Sequence, residues 1–130
     1  MGVLIGVPNL IRTPGQSPML PGTVTANGFV FTSGLISPAA LRAMADGGDV
    51  PAHQQIREAV NVLRTTLAEA GAGLADVVKL SAFLSSEGLF GAWNEVFLSV
   101  WPEPGPARTT LVAAFTSPVV HFELEAVAAL

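Results

Sequence analysis

Residues 54–84 read QQIREAVNVLRTTLAEAGAGLADVVKLSAFL, and the fold turns on this stretch. In its first half Ile56, Val60, Leu63 and Leu67 recur at spacings of four, three and four, which makes one apolar stripe along a helix. Gln54, Arg57, Glu58, Asn61 and Arg64 take the opposite side. Asp49 and Pro51 supply a start and Gly71 a left-handed stop, so the spacing predicts a helix over 51–70. VVKLSAFL at 77–84 is then a short apolar run bounded by turn signals, and it reads as a largely buried strand.

On the N-terminal side, TVTANGFVFTSG at 23–34 reads as a hairpin. Asn27-Gly28 supplies the positive φ angles of a tight turn, with β-branched and aromatic residues on either side and Gly34 ending the second strand. Residues 37–50 form a connector whose AALRAMA segment allows a short helical turn. TPGQSPMLPG at 13–22 reads as a Pro/Gly-rich loop. The apolar start, residues 1–11, has Arg12 after the run and not before it, which fits a first strand or arm better than a targeting segment.

On the C-terminal side, residues 88–101 give a second helix with Phe90, Trp93, Phe97 and Val100 on one face, ended by Pro102 and Pro104. Residues 108–115 and 120–129 read as two strands joined by a Ser117-Pro118 turn. In the last one Phe122, Leu124 and Ala126 alternate with His121, Glu123 and Glu125. The order β–β–α–β–α–β–β predicts an α+β protein. Two helices pack on one face of a mixed sheet of four to six strands, in a single domain over residues 1–130.

Composition bears on what covers the other face. Half of the residues are hydrophobic and only 12% are charged, against about 25% charged in an ordinary soluble domain. No run approaches the roughly 18 apolar residues of a membrane helix. The surplus therefore points to an oligomer that buries a sheet face between copies. The net charge is −4, and five Arg with one Lys form no basic patch, which disfavours nucleic acid as a partner. The absence of Cys excludes disulfides and thiolate chemistry, and it suits the cytoplasm.

The candidate functional residues are few. Arg108 follows the stiff PGPA segment at the mouth of a strand, where it can present a forked donor to a carboxylate or simply make a surface ion pair. Glu123 and Glu125 share one face of the last strand, either as its wet side or with one of them positioning a water. Gly34 in the TSG segment lets backbone N–H groups approach an anion, or merely ends the strand. His53 and His121 have no ligand-spaced partners, which disfavours a metal. A Ser33–His121–Asp76 triad can be written on paper, but no nucleophile elbow accompanies it.

Taken together, GFVFTSGLISP at 28–38, the 54–84 stretch, WNEVF at 93–97, PARTTLV at 106–112 and FELEAVA at 122–128 resemble the RidA/YjgF family from about residue 23 to the end. PARTT followed about 14 residues later by E-x-E-A-x-A is the most specific combination. The resemblance implies a chorismate-mutase-like fold and a homotrimer with clefts between subunits. It also implies hydrolysis of enamines and imines of the 2-aminoacrylate type to 2-keto acids and ammonia, without metal or organic cofactor. By the same resemblance Arg108 clamps the substrate carboxylate and Glu123 holds the water. Backbone groups of Ser33, Gly34 and Thr110 line the site, and Asn94 is structural. Members carry a Tyr in a G-P-Y segment; here the matching stretch is SPMLPG, with Leu20 near that position, and the chain has no Tyr. A non-catalytic binder of small carboxylates is the alternative, and a ribonuclease or translation inhibitor a further one.

Overall fold

The computed structural model describes residues 10–130. Six strands form one sheet in the order β1-β2-β3-β6-β4-β5. They are β1 (Ile11–Ser17), β2 (Leu20–Ala26), β3 (Phe29–Thr32), β4 (Val77–Leu84), β5 (Ala107–Val112) and β6 (Phe122–Ala129). The helices are α1 (Pro38–Asp46), α2 (Ala52–Glu69) and α3 (Phe90–Val100). β4 and β5 run parallel and the remaining pairs are antiparallel. This is the mixed α+β architecture expected, with one more helix than the two anticipated.

The helix stripe is the core. Ile56, Val60, Leu63 and Leu67 are all buried against the sheet. Val30, Leu80, Ala82, Leu84, Phe122, Leu124, Ala126 and Ala128 meet them from the strands, and Trp93 and Phe97 from α3. Asn27 (φ 50°) and Gly28 (φ 81°) make the tight turn between β2 and β3, and Gly71 (φ 82°) ends α2 as its position foretold.

Three local expectations need correction. TPGQSPMLPG is no loop: Ser17 pairs with Leu20, and a bulged hairpin joins β1 to β2. Pro14 sits on the edge strand, where a missing N–H costs nothing, and the irregular register absorbs it. The connector 37–50 holds nine residues of true helix, because Ser37 caps it: its Oγ accepts from Ala40 N at 3.1 Å. β5 and β6 are not neighbours, since β4 lies between them and residues 113–121 cross its end. Of the start of the chain, residues 1–9 lie outside the described residues, and Ile11 opens β1.

A buried Gln ties the crossing segment down. Gln55 on α2 is fully buried; its Nε2 donates to Val50 O at 3.0 Å and Val119 O at 2.8 Å, and its Oε1 accepts from His121 N at 2.9 Å. Truncation would strand three backbone groups at once. Gln55→Ala is expected to lower unfolding free energy by about 3 kcal/mol, measured by urea denaturation. A loss under about 1 kcal/mol would show that these groups find other partners.

Candidate active site

The last strand sets out the site. β6 alternates strictly, with Phe122, Leu124, Ala126 and Ala128 buried towards the helices and Glu123, Glu125 and Val127 on the open face. Leu35 bridges to Leu124, with Leu35 N donating to Leu124 O at 2.7 Å, so residues 33–36 run beside the start of β6. Gly34 thereby lies against the Glu123 side chain. A Cβ at position 34 would collide with that carboxylate, which gives a physical reason for Gly there.

Glu123 opens into a cleft of about 150 Å³ that also involves Leu20, Ser33, Gly34 and Leu41. Four of the six residues singled out from sequence therefore meet in one place: Leu20, Ser33, Gly34 and Glu123. Within this group Ser33 is structural, since its Oγ donates to Pro21 O at 2.7 Å and its N–H to Gly22 O at 3.1 Å. Leu35 N–H is also spent. The Gly34 N–H between them has no acceptor among the described residues and is free for an anionic oxygen.

Burial raises the Glu123 pKa above the ordinary glutamate value, and the negative charge of Glu125 on the same strand face raises it further. A carboxyl shifted this way favours its proton. The fold keeps the associated stability at low pH and loses it as the pH rises through the raised value.

Arg108 and Thr110 lie elsewhere. β5 pairs with β4 so that Arg108 stands beside Leu80 and Thr110 beside Ala82, which puts both on the helix side of the sheet. Glu123 pairs with Phe83 on the other side. Arg108 Nη1 donates to Asn94 Oδ1 on α3 at 2.8 Å, and its guanidinium lies 4.6 Å from the Phe97 ring centre and 5.7 Å from that of Phe90. Thr110 Oγ1 accepts from Trp93 Nε1 at 3.2 Å. Asn94 thus does more than hold α3: it orients the guanidinium, and the aromatic face below restricts its tilt.

Of the cleft residues not singled out from sequence, Gln16 and Leu41 bear most on its shape. Gln16 receives the Ile36 N–H at 3.1 Å and donates to Ile36 O at 2.8 Å, clamping the segment that carries Gly34 to β1. Leu41 comes from α1, read from sequence only as a short turn in a connector. The paper triad is not assembled. His121 instead meets Ser85 Oγ at 3.0 Å through Nδ1 and Asp49 at 4.0 Å through Nε2. Among the described residues no group of three or more His, Asp or Glu is placed to hold a metal ion. Among the described residues no helix is long and apolar enough to cross a membrane.

An α+β domain with a small acid-bearing cleft and a separately mounted Arg is what the geometry defines. The Endoribonuclease L-PSP family profile matches residues 11–130. Among curated relatives, mitochondrial protein mmf1 of Schizosaccharomyces pombe is 36% identical over 129 residues, covering 90% of this chain and 75% of its own. A RutC family protein of Synechocystis is 33% identical and covers 82% of each chain. A YjgF-family structure from Neisseria meningitidis aligns with TM-score 0.79 at 23% identity, over 93% of this chain and 94% of that one. RidA from an Antarctic Psychrobacter aligns with TM-score 0.75 at 22% identity, over 92% and 94%. The chain belongs to the RidA/YjgF family, also described as endoribonuclease L-PSP. The match reaches back to residue 11 because the β1–β2 hairpin, misread as a loop, belongs to the family domain.

Carbon-13 labelling of glutamate side chains offers a direct check on the Glu123 environment. Its carboxyl is expected to titrate above the ordinary glutamate range. The midpoint should fall when Glu125→Gln removes the neighbouring charge. A midpoint at the ordinary value, unmoved by that substitution, would mean the cleft is wetter than its geometry indicates.

Proposed function

We propose that this protein hydrolyses reactive enamine and imine intermediates to 2-keto acids and ammonia, in clefts shared between copies of a homotrimer. The carrying observation is Glu123: a half-buried carboxylate with raised pKa, packed on Gly34, beside a free backbone N–H. Family membership supports the same chemistry.

The enamine takes up a proton from solvent at C3 and becomes the iminium form of the imine, R–C(=NH2+)–COO−. Glu123 orients a water towards C2 and accepts its proton as the C–O bond forms. The raised pKa brings this base nearer to neutral pH, where proton transfer is most efficient. The proton then passes to nitrogen, and as the C–N bond breaks the hydroxyl gives up its proton, so the 2-keto acid forms and ammonia departs with that proton as ammonium. Arg108 supplies a fork for the substrate carboxylate, held in direction by Asn94 and Phe97. No step needs a metal or an organic cofactor.

Arg108 and Glu123 face opposite sides of one sheet, so one chain does not complete this site. The Arg108 of one copy would have to reach the Gly34–Glu123 cleft of the next. The open sheet face supports such an assembly, with Phe29, Phe31 and Leu111 exposed at 44%, 45% and 53%. Three copies of one RidA-like, chorismate-mutase-like domain is the number the resemblance implies. The ribonuclease reading finds less support, since the net charge is −4 and five Arg with one Lys form no basic patch.

Mixing tests this. Arg108→Ala and Glu123→Ala are each expected to abolish accelerated decay of 2-aminoacrylate, generated from serine by a dehydratase. Unfolding and reassembling the two together in equal amounts should restore about a quarter of the native rate, because sites that draw one residue from each copy regain both in that proportion. No recovery, with trimers reformed, would place both residues in one chain's site or remove one of them from catalysis.

A further inference from the structure

We propose that a second site lies at the end of β4, where Ser85 and His121 form a nucleophile–base pair that cleaves neutral carboxylic esters through an acyl-serine.

Ser85 directly follows β4, and α3 is reached through a single turn at Glu87–Leu89, so this serine stands on a strand-to-helix turn. Its Oγ lies 3.0 Å from Nδ1 of His121, within reach of proton transfer. The backbone holds the pair as well. Ser85 N donates to His121 O at 3.0 Å, which continues the β4–β6 ladder, and His121 N donates to Oε1 of the fully buried Gln55 at 2.9 Å.

Asp49 faces the other ring nitrogen, with Oδ1 4.0 Å from Nε2. Its charge favours the proton on Nε2 and leaves the Nδ1 lone pair to receive the serine proton. At 88% exposure Asp49 acts weakly, so Ser85 and His121 carry the chemistry.

The turn also places an oxyanion donor. Where a serine nucleophile sits between a strand and a helix, the N–H of the next residue receives the developing oxyanion. Here the Ser86 N–H has no acceptor among the described residues, nor have those of Glu87 and Gly88. Ser85 and His121 open on a cleft of about 420 Å³ lined also by Val50, Pro51, Ala52 and Leu89. No Arg or Lys lines it, so it suits a neutral ester and not the carboxylate substrate proposed for the other cleft.

In the reaction the Ser85 proton passes to Nδ1 as Oγ bonds to the ester carbonyl carbon. The carbonyl electrons move to its oxygen, against the Ser86 N–H. Their return breaks the ester C–O bond, and the alcohol leaves with the proton from His121. Water then attacks the acyl-serine, gives its proton to His121, and the acid departs as Oγ recovers that proton.

The test follows p-nitrophenyl butyrate hydrolysis by the native protein, Ser85→Ala and His121→Gln, with melting temperatures to check folding. Release of p-nitrophenol above the buffer blank is expected, and it should fall at least about tenfold in either variant. Acid quenching during turnover should leave a butyryl group on the peptide carrying Ser85, read by mass spectrometry. Diisopropyl fluorophosphate should label the same residue in the native protein and not in His121→Gln. No release above the blank, release that persists in Ser85→Ala, a label on another residue or indifferent to His121, or no label at all would overturn the proposal. Labelling of the native protein needs no variant to fold, and it reads Ser85 whether or not Glu123 and Arg108 act on imines.

Discussion

The two-residue period of a β-strand governs this molecule. Once Phe122, Leu124 and Ala126 turn inward, Glu123 and Glu125 must turn outward, and the register with β4 carries the same division across to β5. Arg108, beside Leu80, falls on the helix side. A shift of β6 by one residue would exchange its faces, but it would also expel Phe122 and Leu124 from the core. The position of Glu123 is therefore enforced by the apolar residues on either side of it. The same division leaves Phe31, Phe83, Leu111 and Val127 on a surface that the helices do not cover. One constraint thus separates the two halves of the proposed site and leaves an apolar face exposed on the same molecule.

Three polar side chains govern the irregular parts, where no strand ladder or helix can. Gln16 clamps residue 36, Glu58 holds the start of α1, and Gln55 gathers the backbone at Val50, Val119 and His121. Each satisfies backbone groups of a segment distant in sequence. Glu58 also shows how environment divides carboxylates of one type. Hydrogen bonds from Gln54, Ser37 and Ala39 outweigh its burial and lower its pKa, whereas Glu123, with burial and Glu125 against it, moves up. The first is set to stay charged and structural, the second to exchange a proton.

What was legible in the sequence follows the periodic signals. The Ile56–Leu67 stripe, the Asn27-Gly28 turn and the Phe122–Ala126 alternation each report a single face against a single core, and each stands as read. The β1–β2 hairpin was hidden because Pro and Gly there mark a bulged edge strand with the same letters that mark a loop. α1 was hidden because its buried residues are only Ala40 and Ala43, too small to make a stripe, and its cap acts through Glu58 some 20 residues on. The crossing of β5 and β6 was hidden since neighbouring strands in sequence are usually neighbours in space. Of the six residues singled out, Leu20, Ser33, Gly34 and Glu123 line one cleft while Arg108 and Thr110 stand on the other side of the sheet. Gln16 and Leu41 did not announce themselves, because a clamp to a backbone and a wall of a cleft leave no pattern of spacing.

The split of the site across the sheet has a consequence for how its chemistry can vary. The half proposed to meet the water, Glu123 on Gly34, sits where a Cβ at position 34 would push the carboxylate aside. The half proposed to meet the carboxylate, Arg108, rests on α3 through Asn94 and Phe97 and shares no hydrogen bond with the first among the described residues. Leu20 and Leu41, which also line the cleft, belong to neither: one comes from the start of β2, the other from α1. Change in either Leu leaves the supports of Glu123 and Arg108 in place, so a fold arranged in this way can hold one reaction constant while its cleft wall varies.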